Sequence, residues 1–153
     1  MPSERQELET AAIQFCQAFA SGRDADHILS LFSSTHPIST IEHGEPELAP
    51  FLGRMFEGRE GVKQYLHELD ALLTHEHLTF SDYVIDPVVK KVALKGQGTF
   101  RWLKTQESWK ETFAYVLDFD DEMKVIRYQI WADSGAAYLA RVGQLSELRE
   151  MSR

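Results

Sequence analysis

Apolar residues recur at helical spacing over the first twenty positions. Leu8, Ala11, Ala12, Phe15, Ala18 and Phe19 form one stripe, so Glu4 to Ala20 is predicted as an amphipathic helix. Ser3 suits its N-cap and Gly22 its stop. A short helix is predicted from Asp24 to Phe32, with Leu29 and Phe32 pointing inwards. Ser34 to Gly44 has strand character, and Pro37 limits its start to an edge or a bulge. Glu45 to Pro50 reads as a loop. Leu52 to Leu73 is mostly helical, interrupted by Gly58 and Gly61, and its second half carries the stripe Val62, Tyr65, Leu66, Leu69 and Leu72.

From His77 the period changes to two. Strands are predicted over His77–Asp86, Val88–Leu103, Trp109–Phe119 and Met123–Asp133. Pro87 ends the first, and Gly96 and Gly98 suggest a bulge or sharp bend in the second. The acidic turn Asp120-Asp121-Glu122 joins the last two. A helix from Ser134 to Gly143 follows, and the charged tail after Leu145 is expected to fray. Helices followed by a run of strands indicate an α+β fold of one domain over residues 1–153. A strongly bent mixed or antiparallel sheet wrapped around the N-terminal helices gives a cone with a cavity at its mouth.

Charge and composition narrow the partners. The net charge of −8 opposes a nucleic-acid phosphate backbone, and Lys90, Lys91, Lys95 and Arg101 sit at the spacing of a solvated strand face. Aromatic residues make up 11% of the chain, enough to fill a core or to line an apolar pocket. Cys16 is the single cysteine, so no internal disulfide or structural zinc set is available. The start is polar and acidic, and no run approaches the ~20 apolar residues of a membrane span. A reducing cytoplasmic setting fits, with neither membrane nor nucleic acid as partner.

The segment Lys124–Leu139 holds a strand that runs up to Trp131 and turns at Asp133 into a helix. Two readings of Asp133 stand. As a helix N-cap it accepts amide hydrogen bonds, which lower its pKa. As a catalytic carboxylate among apolar neighbours its pKa rises. The cap is the favoured reading. Arg127, Gln129, Trp131 and Asp133 share one parity, and Ile126, Tyr128, Ile130 and Ala132 the other; the sequence leaves open which lines the cone. Glu111 lies among Trp109, Phe113 and Tyr115, with an exposed, ion-paired Glu as the favoured reading. Trp102 shares parity with Val92, Leu94 and Phe100, which makes core its default, although it stays in the pocket set. His75 and His77 could bind a metal but lack a third ligand, so no metal is expected.

The element order and three motifs resemble the SnoaL-like proteins of the NTF2-like superfamily, fungal members in particular. The motifs are Leu31-Phe32 leading to Thr40-Ile41-Glu42-His43-Gly44, Phe56-Glu57-Gly58-Arg59-Glu60-Gly61-Val62, and Arg127–Asp133 with the Gly143-Gln144-Leu145 helix. The resemblance implies an NTF2-like cone, a homodimer formed through the sheet, and proton-transfer chemistry without a cofactor. It also implies that Glu42 and His43 end the first strand at the cone mouth, where isomerase-like members place an Asp. Alternation sends these two side chains to opposite faces, and Glu42 shares parity with His36, which leaves a Glu42–His36 dyad open.

The expected acid/base set is therefore Glu42, His43, Asp133 and His36, with Tyr128 or Tyr115 as an oxyanion donor. The pocket set is Trp131, Tyr128, Tyr115, Trp109, Trp102 and Phe56. The leading expectation is cyclisation, isomerisation or dehydration of a small apolar, oxygenated metabolite. The alternative is a non-catalytic ligand-binding or dimerisation module, whose mark is a filled cavity with no ionisable group facing inwards.

Overall fold

A computed structural model describes residues 1–152; the last position of the expected 1–153 domain lies outside the described residues. Helix α1 (Glu4–Ala20) opens with a reciprocal cap. The Gln6 amide donates to Ser3 Oγ at 3.2 Å, and the Ser3 amide donates to Gln6 Oε1 at 2.8 Å. Its inner stripe, including Leu8, Ala12, Phe15 and Cys16, is fully buried. Helix α2 (Ala25–Leu29) is shorter than predicted and is capped by Asp24, which accepts from the His27 amide at 2.9 Å.

Six strands form one mixed sheet in the order β2-β1-β6-β5-β4-β3. They are β1 (Ser39–His43), β2 (Phe56–Glu57), β3 (Leu73–Asp86), β4 (Lys91–Trp102), β5 (Ser108–Phe119) and β6 (Val125–Trp131). β3 to β6 make the predicted antiparallel meander, and β1 joins β6 in parallel. Helix α3 (Gly58–Leu72) packs its apolar stripe under β1 and β2, and α4 (Ser134–Arg141) and α5 (Leu145–Met151) follow β6. The result is an α+β cone.

The departures from the sequence reading are local. β1 starts at Ser39 rather than Ser34, because Ser33 Oγ accepts from the Thr35 and His36 amides and turns the chain before Pro37. Residues 52–57 are not helical, and Phe56 and Glu57 pair with β1 instead. α3 begins only at Gly58, whose φ of 72° lies in the left-handed region. The bend in the long hairpin sits on β3 and not on β4. Register shifts fall between Glu76 and Thr79 and between Ser81 and Val84, with His77 and Asp82 at φ 54° and 58°. Gly96 serves a different end, since the Phe113 ring lies where its side chain would be. The tail after Leu145 is helical rather than frayed. Glu107 accepts from the Ser146 amide at 2.8 Å, and Arg149 donates to the Ser108 carbonyl at 3.1 Å. Among the described residues, no helix is long and apolar enough to cross a membrane.

Candidate active site

The parallel pairing of β1 with β6 decides which residues face the helices. The register sets Thr40 beside Tyr128, Glu42 beside Ile130 and His43 beside Trp131. Tyr128 and Ile130 are buried on the concave face, so Glu42 points in with them. The backbone of Glu42 is held on both sides, by β6 and by the Gly53 amide, which donates to its carbonyl at 2.9 Å.

Between this face, the end of α1 and the second half of α3 lies a cavity of about 150 Å³. Its walls include Phe19, Phe51, Tyr65, Trp109, Phe113, Tyr115 and Tyr128, with Leu66, Leu69 and Leu78 towards the α3–β3 end. The volume is on the order of the cavity that takes up one benzene, and smaller than the roughly 300–1,000 Å³ usual for larger ligands. Tyr115 and Tyr128 meet edge to face, 4.8 Å between ring centroids.

Two carboxyl groups face this space. Glu42 Oε1 accepts a 2.7 Å hydrogen bond from the Tyr65 hydroxyl. Loss of water pushes the Glu42 carboxyl up to about 7. The Tyr65 bond opposes that rise, and the charge of Glu111 adds to it. Burial also raises the pKa of Glu111. The Trp109 indole N–H donates to its Oε1 and the Asp133 amide to its Oε2 at 3.3 Å, both opposing the rise. Burial holds the Tyr65, Tyr115 and Tyr128 phenols well above their usual range, so all three stay protonated as neutral groups.

Asp133 sits at the edge of the cavity and caps α4, its Oδ1 accepting from the Ala136 amide at 3.0 Å. His43 lies on the outer face, away from Glu42. Its Nε2 is 2.9 Å from Gln129 Oε1, and its ring stacks on Trp131 at 4.4 Å. His36 is exposed in the turn before β1, with Nδ1 3.0 Å from Thr35 Oγ1 and 3.8 Å from Asp120 Oδ2. The parity that linked it to Glu42 fails because residues 34–38 are not strand.

Of the expected pocket residues, Tyr128, Tyr115 and Trp109 line the cavity. Trp131 does not: it is 42% exposed on the outer face, one position out of phase with Ile130. Trp102 and Phe56 stand behind the wall. Trp102 stacks on Phe51 and donates its indole N–H to the Ala137 carbonyl at 2.7 Å. Phe56 packs on Tyr65, with the Arg54 guanidinium over its ring at 4.6 Å.

Glu111 belongs to the cavity, against the favoured sequence reading, and Tyr65 entered that reading only as part of an apolar stripe. The signal for Glu111 was its place among aromatic residues at alternate positions of one strand. His77 is exposed on the β3 bulge, and among the described residues no three His, Cys, Asp or Glu side chains are placed to hold a metal ion.

No family model matches the sequence, and no curated protein does. Solved structures do match. An NTF2-like protein of unknown function from Burkholderia pseudomallei K96243 has a TM-score of 0.74 at 12% identity, over 88% of this chain and 96% of that one. AusH from Aspergillus nidulans has a TM-score of 0.67 at 23% identity, over 87% and 88%. A protein of ketosteroid isomerase-like fold from Catenulispora acidiphila DSM 44928, solved with trimethylamine, has a TM-score of 0.68 at 16% identity, over 90% and 95%. The chain has the NTF2-like fold.

Proposed function

We propose that this NTF2-like chain is a SnoaL-like, cofactor-free cytoplasmic enzyme that moves a proton on a small, largely apolar, oxygenated molecule, by isomerisation, cyclisation or dehydration. The observation that carries the reading is Glu42, a carboxyl group facing an aromatic cavity with its pKa pushed up to about 7. A group poised there takes a proton from carbon and returns it at neutral pH with little cost either way. Tyr65 fixes one oxygen of Glu42 and leaves the other for substrate. Tyr115 or Tyr128 supplies a neutral hydroxyl to a substrate oxygen. Glu111 is the second carboxyl of the site, and Asp133 holds it through its backbone amide.

The test is exchange of carbon-bound hydrogen for deuterium, followed by NMR over a panel of one-ring enolisable ketones. Glu42→Gln should lower the exchange rate by about 10²–10⁴-fold, the usual worth of a positioned acid/base. A variant that keeps the full rate ends the assignment.

The cavity's modest volume favours a second reading, a module that holds a ligand without transforming it. In that case every panel member is released unchanged, and Glu42→Gln alters affinity alone. Under either reading the outer sheet face, with exposed Trp131 stacked on His43, is proposed as the homodimer surface. Light scattering at micromolar concentration should give twice the monomer mass of 17.6 kDa.

A further inference from the structure

We propose that the cavity takes its ligand as an organic cation: an amine-bearing molecule about one ring in size, its ammonium group lodged between Glu42, Glu111 and the aromatic walls. This deepens the functional reading above and rests on the same cavity being the working site.

Three observations carry it. The first is the sign of the charges. The ionisable side chains directed into the cavity are acids, Glu42 and Glu111, with Asp133 and Asp70 on its lining nearer solvent. The cationic side chain of the lining is Arg23, exposed on the α1–α2 turn, and burial pushes His75 towards its neutral form.

The second is the walls. The faces of Tyr65, Trp109, Phe113 and Tyr115 carry negative π density, which attracts ammonium groups and repels anions.

The third is the state of the hydrogen-bond donors. An anion needs donors and a balancing charge, yet the Tyr65 hydroxyl is committed to Glu42 and the Trp109 indole to Glu111, which leaves the neutral Tyr115 and Tyr128 hydroxyls facing two acids. A cation needs acceptors, and two carboxyl groups supply them, with no cationic side chain among the described residues paired to either. The volume of about 150 Å³ sets the size at roughly one ring.

Three one-ring probes separate the possibilities: phenyltrimethylammonium, its neutral isostere tert-butylbenzene, and anionic benzoate. Each is titrated calorimetrically into the full chain at pH 6 and pH 8, in two buffers of different ionisation heat. The groups facing Glu42 are Tyr65 from α3, Glu111 and Tyr115 from β5, and Tyr128 from β6. The phenols stay neutral through this range, so Glu42 carries its pH response, with the charge of Glu111 adding to the rise.

The ammonium should bind at least about tenfold tighter than tert-butylbenzene at pH 8, and benzoate should bind weakest. Below pH 7 the cation has to displace the Glu42 proton. Its affinity should therefore fall about tenfold from pH 8 to pH 6, with proton release in the buffer comparison. tert-Butylbenzene should show no such slope. Glu42→Gln should lose both the ammonium preference and the slope while keeping a cooperative melt, and Glu111→Gln should weaken the preference but keep the slope.

Equal or tighter binding of tert-butylbenzene or benzoate overturns the proposal, as does failure of the ammonium to bind. Binding that survives Glu42→Gln but is lost in Asp70→Asn also overturns it, by placing the cation at the rim. Ammonium binding with no hydrogen exchange on any substrate removes the catalytic reading alone. Exchange on neutral ketones with no ammonium binding removes this proposal alone.

Discussion

Glu42 and Asp120 are both carboxylates withdrawn from water next to the same strand, β6, and they titrate in opposite directions. Glu42 lies beside the far end of β6, where a single phenol donates to it, and burial pushes it up to about 7. Asp120 lies in the turn before β6. Burial works to raise it as well, but there it is outweighed. The Ser33 hydroxyl, the Lys124 and Glu122 amides, each 2.9 Å from Oδ1, and nearby His36 together lower its pKa. The difference lies in the balance of donors against loss of water: four partners outweigh it at Asp120, and one phenol does not at Glu42. A turn converges its amides on Asp120 and makes it a structural strut. A cavity wall of rings offers Glu42 one hydroxyl and leaves it ready to exchange a proton.

The largest effect expected from this contrast is on rate. Glu42→Gln should cost about 10²–10⁴-fold in turnover, whereas Asp120→Asn should leave turnover within a few-fold when measured well below its melting temperature.

Stability should respond in the reverse sense. The folded pKa of Glu42 is raised, so its contribution is complete below its ordinary value of 4.5 and is lost as pH rises to about 7. Denaturant melts should therefore show Glu42→Gln more stable than the native chain at pH 8, by on the order of 3 kcal/mol, and level with it at pH 4. The folded pKa of Asp120 is lowered, so its contribution is present above 3.8 and is lost as pH falls through the lower folded value. Asp120→Ala, which leaves the Glu122 and Lys124 amides without their acceptor, should cost roughly 2–3 kcal/mol at pH 7. A loss below about 0.5 kcal/mol would make the turn carboxylate dispensable and the comparison empty.

Asp133 sharpens the contrast from a third position. It touches the cavity but spends its carboxylate on the Ala136 amide. Asp133→Ala should cost about 1 kcal/mol in stability, as for loss of a helix cap, with Asp133→Asn close to neutral and turnover little changed in both. A hundredfold loss of turnover in Asp133→Asn, with Glu42→Gln near the native rate, would move the chemistry from β1 to the α4 cap.

Much of this was legible in the sequence. Period-two patterning marked β3 to β6 to within a few residues, and Asp133 was readable as a cap from the strand-to-helix switch around it. The direction of Glu42 was not readable. Adjacent residues of a strand always face opposite ways, and only pairing with β6 shows that Glu42 shares a face with buried Ile130 while His43 shares one with exposed Trp131. Trp131 was misread for a related reason: a large aromatic suggests an interior, and here it stacks on His43 outside the cone. Glu111 was undervalued because a lone acid between aromatic residues is usually solvated. Its burial depends on the Trp109 indole and the Asp133 amide, and the latter comes from a segment 22 residues away. The irregularities of the meander fell on β3, where no glycine marks them, while Gly96 on β4 makes room for the Phe113 ring.

The most direct test is the titration of the Glu42 side chain, followed through its carboxyl carbon resonance by NMR and assigned by its disappearance in Glu42→Gln. The midpoint should lie near 7 and move higher still in Tyr65→Phe, where the one opposing hydrogen bond is gone. A midpoint at the ordinary 4.5 would contradict this, because Glu42 would then be a solvated carboxylate like any other on the surface.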